Sequence, residues 1–328
     1  VFGLVRDVVI ADKFGAGAAY DAYLIAFYVP HFLRRLLAEG ALALSFIPVY
    51  TDYLKNDPGE ASKLAANAIN LSLLTFPLVV LAGIFLAPYF IPFLASGFSP
   101  SQQELTIELT RVIFPFIGII GMAALIMGIL KSKKTFFAPA FAPVFFNIGV
   151  ITGALFLGSF FSRPIFGLAT GVLLGGFGQL MFQIPYLRRS GFSWSPEIFP
   201  LHPGLKRALK MMAPVVLGLV AMQANVMIDN KLASHLVTGS VSSLQYATRL
   251  YQLPLGLFAI AISTAILPRL SEKWAAGEKS GFARMLNRGI KISLLIVIPA
   301  TLGLFVLGEP IIKLLFEHRS FLPSDTAR

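Results

Sequence analysis

Arg6, Arg34 and Arg249 stand in long apolar runs, where a guanidinium group needs a reason to be. A charged side chain at the centre of a membrane helix costs about 2.5–3.5 kcal/mol on insertion scales, so one that is retained faces a cavity or a partner. Guanidinium groups stay charged, lose water more readily than ammonium and present planar donor forks that match phosphate oxygens. If the three converge, the ligand that suits them is an anion, and a diphosphate fits best. Arg6 adjoins Asp7. Arg35 has Glu39 four residues on, on the same helical face, so that pair is either internal structure or part of the site. Arg34 has no acid three or four residues away in either direction, and Arg249 stands alone in an uncharged stretch. The competing reading is of scattered arginines, each held by an acid such as Asp7, Asp21 or Glu39.

Other residue types narrow the chemistry. Asp229, in QANVMIDNKLAS, has Asn225 four residues before it and Lys231 two after. A buried carboxylate there either binds Na+ or a proton, with Asn225 as a second oxygen ligand, or pairs with a nearby base. His31 falls four residues before Arg35, where it either hydrogen-bonds a ligand or simply packs. Enzymatic signatures are missing: the four histidines are scattered, and no HExxH or GxSxG occurs. A polyprenyl-phosphate enzyme would want an acidic Mg2+ cluster, and none is visible. Cysteine is absent, which excludes disulfides, thiolate metal sites and cysteine nucleophiles. GVLLGGFG at 171–178 lacks the Lys-Ser or Lys-Thr of a phosphate loop, so its glycines read as close helix packing.

The elements that must position these residues are membrane helices. The chain is 56% hydrophobic and 13% charged, with a mean hydropathy of +0.76, against roughly 25% charged residues in soluble domains. Setting His aside, no charge falls between Lys63 and Glu104, Arg111 and Lys131, Lys134 and Arg163, Arg163 and Arg188, Lys210 and Asp229, or Arg249 and Arg269. Each gap holds a span of about 20 residues. Nine helices are expected, near 1–15, 20–53, 62–96, 102–131, 137–160, 164–187, 206–236, 241–270 and 283–316, with the turn-rich PYFIPFLASGFSP at 88–100 as the exit of the third. The first starts directly in apolar sequence with no signal peptide, and reads as a truncated helix.

Basic residues divide between the two sets of loops. The loops near 55–63, 131–134, 188–210 and 269–291 hold 16 Lys or Arg, and the alternate set holds 5, so the first set is expected in the cytoplasm. That asymmetry accounts for the net charge of +11 without nucleic acid. Six basic residues remain inside spans: Arg6, Arg34, Arg35, Lys231, Arg249 and Lys313, the last near enough to a helix end to snorkel. A repeat is also visible. Asp7 precedes Gly17 by ten residues and Asp229 precedes Gly239 by ten, and each glycine leads into a helix with two prolines, Pro30 and Pro48 or Pro254 and Pro268. Spacing of that kind over six helices suggests two parallel halves: residues 1–190 as a six-helix lobe, 191–205 as a cytoplasmic linker, and 206–328 as the first three helices of a second lobe.

The stretch FGLVRDVVIADKFGAGAAYDAYLIAFYVPHFLRRLLAEGALALSFIPVY at 2–50 resembles the start of the MurJ (MviN) family, bacterial lipid II flippases of the MOP transporter superfamily. The resemblance rests on G-x-x-R-D, the FGAG loop, the proline followed by LRRLLAEGA and the F-x-P-V end. It continues through FAPAFAPVFFNIG at 137–149, QANVMIDNKLAS at 223–234 and GSVSSLQYATRLYQLPLGLFAIAISTAILP at 239–268. It implies an all-α polytopic membrane protein, a MOP-type two-lobe bundle with about nine of fourteen transmembrane helices present. Arginines matching Arg6, Arg34 and Arg249 would line a central cavity and hold the diphosphate of lipid II. Asp7, Asp21 and Glu39 would belong to that cavity or its gates, Asn147 would match a cavity asparagine, and Asp229 a sodium ligand. The chain departs from the family at His31, where an asparagine is common, and the last two helices, which form the groove for the lipid tail, are missing.

The expectation is therefore a non-enzymatic lipid II flippase of the bacterial cytoplasmic membrane, with a cytoplasmic N-terminus. It would work as a monomer among membrane lipids, by alternating access, with no cofactor beyond a coupling Na+ or H+. The alternatives are an exporter of another lipid-linked oligosaccharide, a MOP-type small-molecule antiporter, and a scaffold of the cell-wall machinery.

Overall fold

A computed structural model describes residues 2–35, 42, 44–198 and 200–327. Among them there are helices and no strands: α1 (Phe2–Phe14), α2 (Ala18–Arg34), α3 (Ile47–Asn56), α4 (Pro58–Leu94), α5 (Pro100–Ile113), α6 (Phe116–Ser132), α7 (Phe137–Leu155), α8 (Ile165–Arg189), α9 (Pro203–Ser234), α10 (Ser240–Pro254), α11 (Ala261–Ala275), α12 (Lys279–Phe316) and α13 (Pro323–Thr326). Six helices are long and apolar enough to cross a membrane, counting α5 and α6 as one, and α10 with α11 adds a seventh as a pair bent by 43°.

Proline explains where these helices start and bend. Pro58, Pro100, Pro203 and Pro323 each open a helix, where the missing N–H would have had no partner. Pro254 ends α10 and leads into a π-helical turn, Leu255–Ile260, since a proline removes one backbone bond and crowds the preceding turn. The expected single helix at 20–53 is described as α2 up to Arg34 and α3 from Ile47, with residues 36–41 and 43 between them outside the described residues, and the helix at 102–131 is broken at Pro115. The third helix exits within the expected 88–100 stretch: α4 runs through Pro88 and Pro92 to Leu94 before the chain turns.

Glycine sets the closest packing, between α7 and α8. A methyl group on Gly153 would lie 2.5 Å from the Gly167 carbonyl oxygen, and one on Gly171 would lie 2.7 Å from that of Gly149. Small residues let the two backbones touch, which replaces the hydrophobic drive that lipid does not provide. Gly171 and Gly175 are thus packing residues, as expected, while Gly176 makes room for Phe116.

The segment between α8 and α9 is strapped to α4. Buried Asn67 donates to the Ile198 carbonyl at 2.7 Å and accepts from the His202 amide at 3.0 Å. Asn70 donates to the carbonyls of Ser195 and Glu197 and accepts from the Trp194 indole at 2.8 Å. His202 then caps α9 through Gly204 and meets Glu60 at 3.0 Å. At the turn between α11 and α12, the Lys273 ammonium at 2.8 Å holds the Glu278 carboxyl below its ordinary range.

Apart from the start of α9, which packs on α3 and α4 through Leu205 and Ala208, the helices after residue 203 meet the earlier ones mainly at the end that carries the 15–17, 95–99, 235–239 and 317–322 turns. Tyr246 donates to the Gly15 carbonyl at 3.1 Å, Ser96 meets His235 at 2.9 Å, and the Ser320 amide reaches the Asp12 carbonyl at 3.3 Å. The buried cluster there draws on both sets, with Ile10, Tyr20, Tyr246, Leu250, Phe316 and Phe321. At the opposite end α11 packs chiefly on α12, and neither buries more than a few residues.

Candidate functional site

The site is built where α1, α2, α7, α8 and α10 face one another. Arg6 is on α1 because that helix carries few other polar groups and turns both Arg6 and Asp7 inward. Arg6 Nη2 lies 2.7 Å from Asp7 Oδ1 and its Nε 2.9 Å from the same oxygen. Arg249, 242 positions further along the chain on α10, brings its Nε to 3.1 Å from Asp7 Oδ2. That contact is an ion pair without hydrogen-bond alignment, since the buried Nε is left with no acceptor. One carboxylate, 6% exposed, therefore ties two arginines from distant parts of the chain.

Arg6, Asp7, Arg34, Arg35 and Arg249 line a cavity of about 310 Å³ together with His31, Asn147, Tyr20, Tyr23, Phe27, Gln179 and Gln245. The three arginines singled out by sequence do converge. They are not unpaired: Arg6 and Arg249 share Asp7, and Arg34 and Arg35 are each engaged as well. Their positions follow from α2 running without a break through Pro30 to Arg34, so that Tyr20, Tyr23, Phe27, His31 and Arg34 make one face at helical spacing. The His31 ring packs 5.4 Å from Phe27. Asn147 donates to the Pro143 carbonyl at 3.0 Å and keeps a buried carbonyl oxygen that no described group donates to.

Asp21 is elsewhere. It is 2% exposed, lines neither this cavity nor its neighbour, and sits at the first turn of α10. Its carboxylate accepts from the Gly239 amide at 2.6 Å, the Ser242 amide at 2.8 Å and the Ser242 hydroxyl at 2.5 Å. A carboxylate at that point satisfies amides that an α-helix leaves open and matches the positive end of its dipole. Asp21 thus locks α2 to α10 rather than lining the cavity. Gly239 reaches this geometry with a φ of +96°, which a side chain would strain. Glu39, and with it the Arg35–Glu39 pairing, lies outside the described residues.

Of the remaining charges in spans, Lys231 stands 4.1 Å over the Phe93 ring and Lys313 pairs with Glu309 at 2.9 Å. Asp229 lines a second cavity, of about 290 Å³, between α2, α9 and α10, which shares His31, Arg35, Gln245 and Arg249 with the first. Asn225 does not line it. Among the described residues no group of three or more His, Cys, Asp or Glu could hold a metal ion. One carboxylate falls short of the oxygen set a hard cation takes. Gln179, Gln245 and the tyrosines were missed by charge-based reading, although the 3.6 period of α2 and α10 puts them beside residues that it found.

The family model described as "Lipid II flippase MurJ" matches residues 10–328. The chain is 39% identical to a probable lipid II flippase MurJ of Vibrio cholerae, over 99% of this chain and 64% of that protein. It is 34% identical to the lipid II flippase MurJ of Burkholderia cenocepacia, over 98% of this chain and 64% of that one. It therefore spans about 64% of the length of these relatives. A solved structure titled as lipid II flippase MurJ in an inward closed conformation superposes with a TM-score of 0.83 at 31% identity, covering 99% of this chain and 67% of the other. The inward-facing structure of a multidrug resistance MATE transporter of the MOP superfamily superposes at 0.81 with 17% identity, over 99% and 74%, a likeness of fold alone.

Proposed function

Since this chain belongs to the MurJ family of lipid II flippases, we propose that it moves lipid II across the cytoplasmic membrane, with Arg6, Arg34 and Arg249 neutralising the diphosphate. The observation that carries the reading is the meeting of Arg6 and Arg249 on Asp7, from helices 242 positions apart in the chain, at a cavity that Arg34 also lines. Two arginines on one acid carry a net positive charge, and the added guanidinium of Arg34 makes the cavity a site for an anion with several oxygens. Asp7 holds the arginines in place when the cavity is empty and yields them to the incoming diphosphate. The role is transport, not covalent catalysis.

The working cycle is alternating access between a lobe of residues 1–190 and a second lobe from 206 onward, joined by the 191–205 linker. The Asp21 contact to the start of α10 closes one end, and the loops there are the poorly basic, external set. The opposite end, with its 16 basic loop residues, is cytoplasmic and carries the entrance, which places the N-terminus inside. Diphosphate binding draws arginines of both lobes onto one anion, which favours closing the entrance. Return is driven by a coupling ion or by the membrane potential, worth about 2.3 kcal/mol per charge per 100 mV.

Replacing each arginine by Ala and by Lys in the full-length protein, and measuring lipid II on the outer leaflet, tests the reading. Each alanine variant is expected to lower exposure tenfold or more, with lysine restoring part of it. Normal exposure in all three alanine variants would sink it.

A further inference from the structure

The wall of the second cavity has a different chemistry from the first. Gln223 and Asn230 on α9, and Gln245, Thr248 and Gln252 on α10, line it. Spacings of seven residues on α9 and of three and four on α10 put each set on one helical face. Among the described residues, none of these five side chains is hydrogen-bonded to another protein group. A side-chain amide offers two donors and a carbonyl acceptor, and a threonine hydroxyl offers one donor and two lone pairs. Polar side chains in membrane helices either bond across to a neighbouring helix or face a wet cavity with a task. The Tyr251 ring, 53% exposed, stands on the same wall.

Arg249 belongs to both cavities, with Arg35 and His31, so the cationic cluster and the amide wall are contiguous. Beyond that shared border the only carboxylate or basic side chain on the α9 and α10 wall, among the described residues, is Asp229, which repels phosphate and accepts from hydroxyl groups.

We propose that the two cavities divide one substrate: the arginines take its diphosphate, and the amide wall of α9 and α10 takes its neutral glycan. This rests on the flippase reading above. Saccharide hydroxyl and acetamido groups are uncharged, closely spaced donors and acceptors, which amide and hydroxyl side chains match in pairs. The Tyr251 ring offers an apolar face to the C–H side of a sugar. A site whose polar groups are left unpaired by a ligand lacking the glycan would discriminate against it.

The test compares two ligands with the same anion and tail, lipid II and undecaprenyl diphosphate, on the full-length protein in nanodiscs. A T248V/Q252L variant, confined to residues that line only the second cavity, is expected to bind lipid II at least tenfold more weakly and undecaprenyl diphosphate within twofold of the parent. Equal loss for both ligands, or no loss for either, overturns the division. If the double variant does not fold, Thr248→Val set against Thr248→Ser makes the same comparison, with lipid II binding expected to return only with the hydroxyl. Arg249→Ala, measured alongside, is expected to weaken both ligands. Failure of the unaltered protein to bind either one overturns the flippase reading itself, whereas binding of both with an unresponsive wall overturns only the division.

Discussion

At the scale of the residue, Asp7 decides the state of the site. It holds Arg6 through two hydrogen bonds and Arg249 through an ion pair, all in surroundings where the three side chains are 8–35% exposed. Removing one partner of a fully buried pair costs about 3–5 kcal/mol, and the partial exposure of Arg249 to the cavity lowers that figure. Asp7→Asn is expected to lower stability by about 1–3 kcal/mol on that basis. Adding inorganic diphosphate is then expected to raise Tm more in the variant than in the parent, because the freed arginines have lost their competing anion. Equal Tm rises in a thermal titration would remove Asp7 from that role. Charge spacing alone could identify Arg6–Asp7 as neighbours, but it left Arg249 solitary, since its acid lies 242 positions away.

At the scale of the element, the contact of α7 and α8 is the least tolerant part of the bundle. Its glycines are matched across the interface, Gly149 to Gly175 and Gly153 to Gly171, with backbone on both sides. There is no flexible side chain to give way. Overpacking a tight core costs about 1–3 kcal/mol and at times more. Gly153→Leu is expected to reach the top of that range and to lower the yield of folded protein in size-exclusion chromatography. Gly178→Ala, where the nearest atom is the Phe145 side chain at 3.4 Å, is expected to be near neutral. Because α7 carries Asn147 and α8 carries Gln179, this glycine seam also fixes one wall of the cavity. The sequence pointed to close packing through small residues in α8, but its partner glycines on α7 are visible only once the two helices are side by side.

At the scale of the whole molecule, the two ends are joined differently: Asp21 fastens one, while at the other α9 packs on α3 and α4 and α11 and α12 bury few residues. Asp21 from α2 caps α10, and Gly17 and Gly239, equivalent in the sequence repeat, stand at the N-caps of those two helices. Losing a carboxylate N-cap costs about 0.5–2 kcal/mol. Asp21→Ala is expected to weaken the closed end by that amount and to shift the population toward its opening. Cysteines introduced at Ala18 and Ser240 should then cross-link more slowly than in an otherwise identical protein with Asp21 intact. Unchanged cross-linking would assign Asp21 a purely local role.

Sequence alone determined the membrane class, most of the spans, the loop asymmetry and the identity of the cavity arginines. These depend on hydropathy and on the cost of isolated charge in lipid, which act residue by residue. The sharing of Asp7, the placement of Asp21 at the start of a distant helix and the amide wall across α9 and α10 were decided by tertiary structure. Each depends on which helix faces turn toward each other, and a period of 3.6 fixes what shares a face without saying what that face meets.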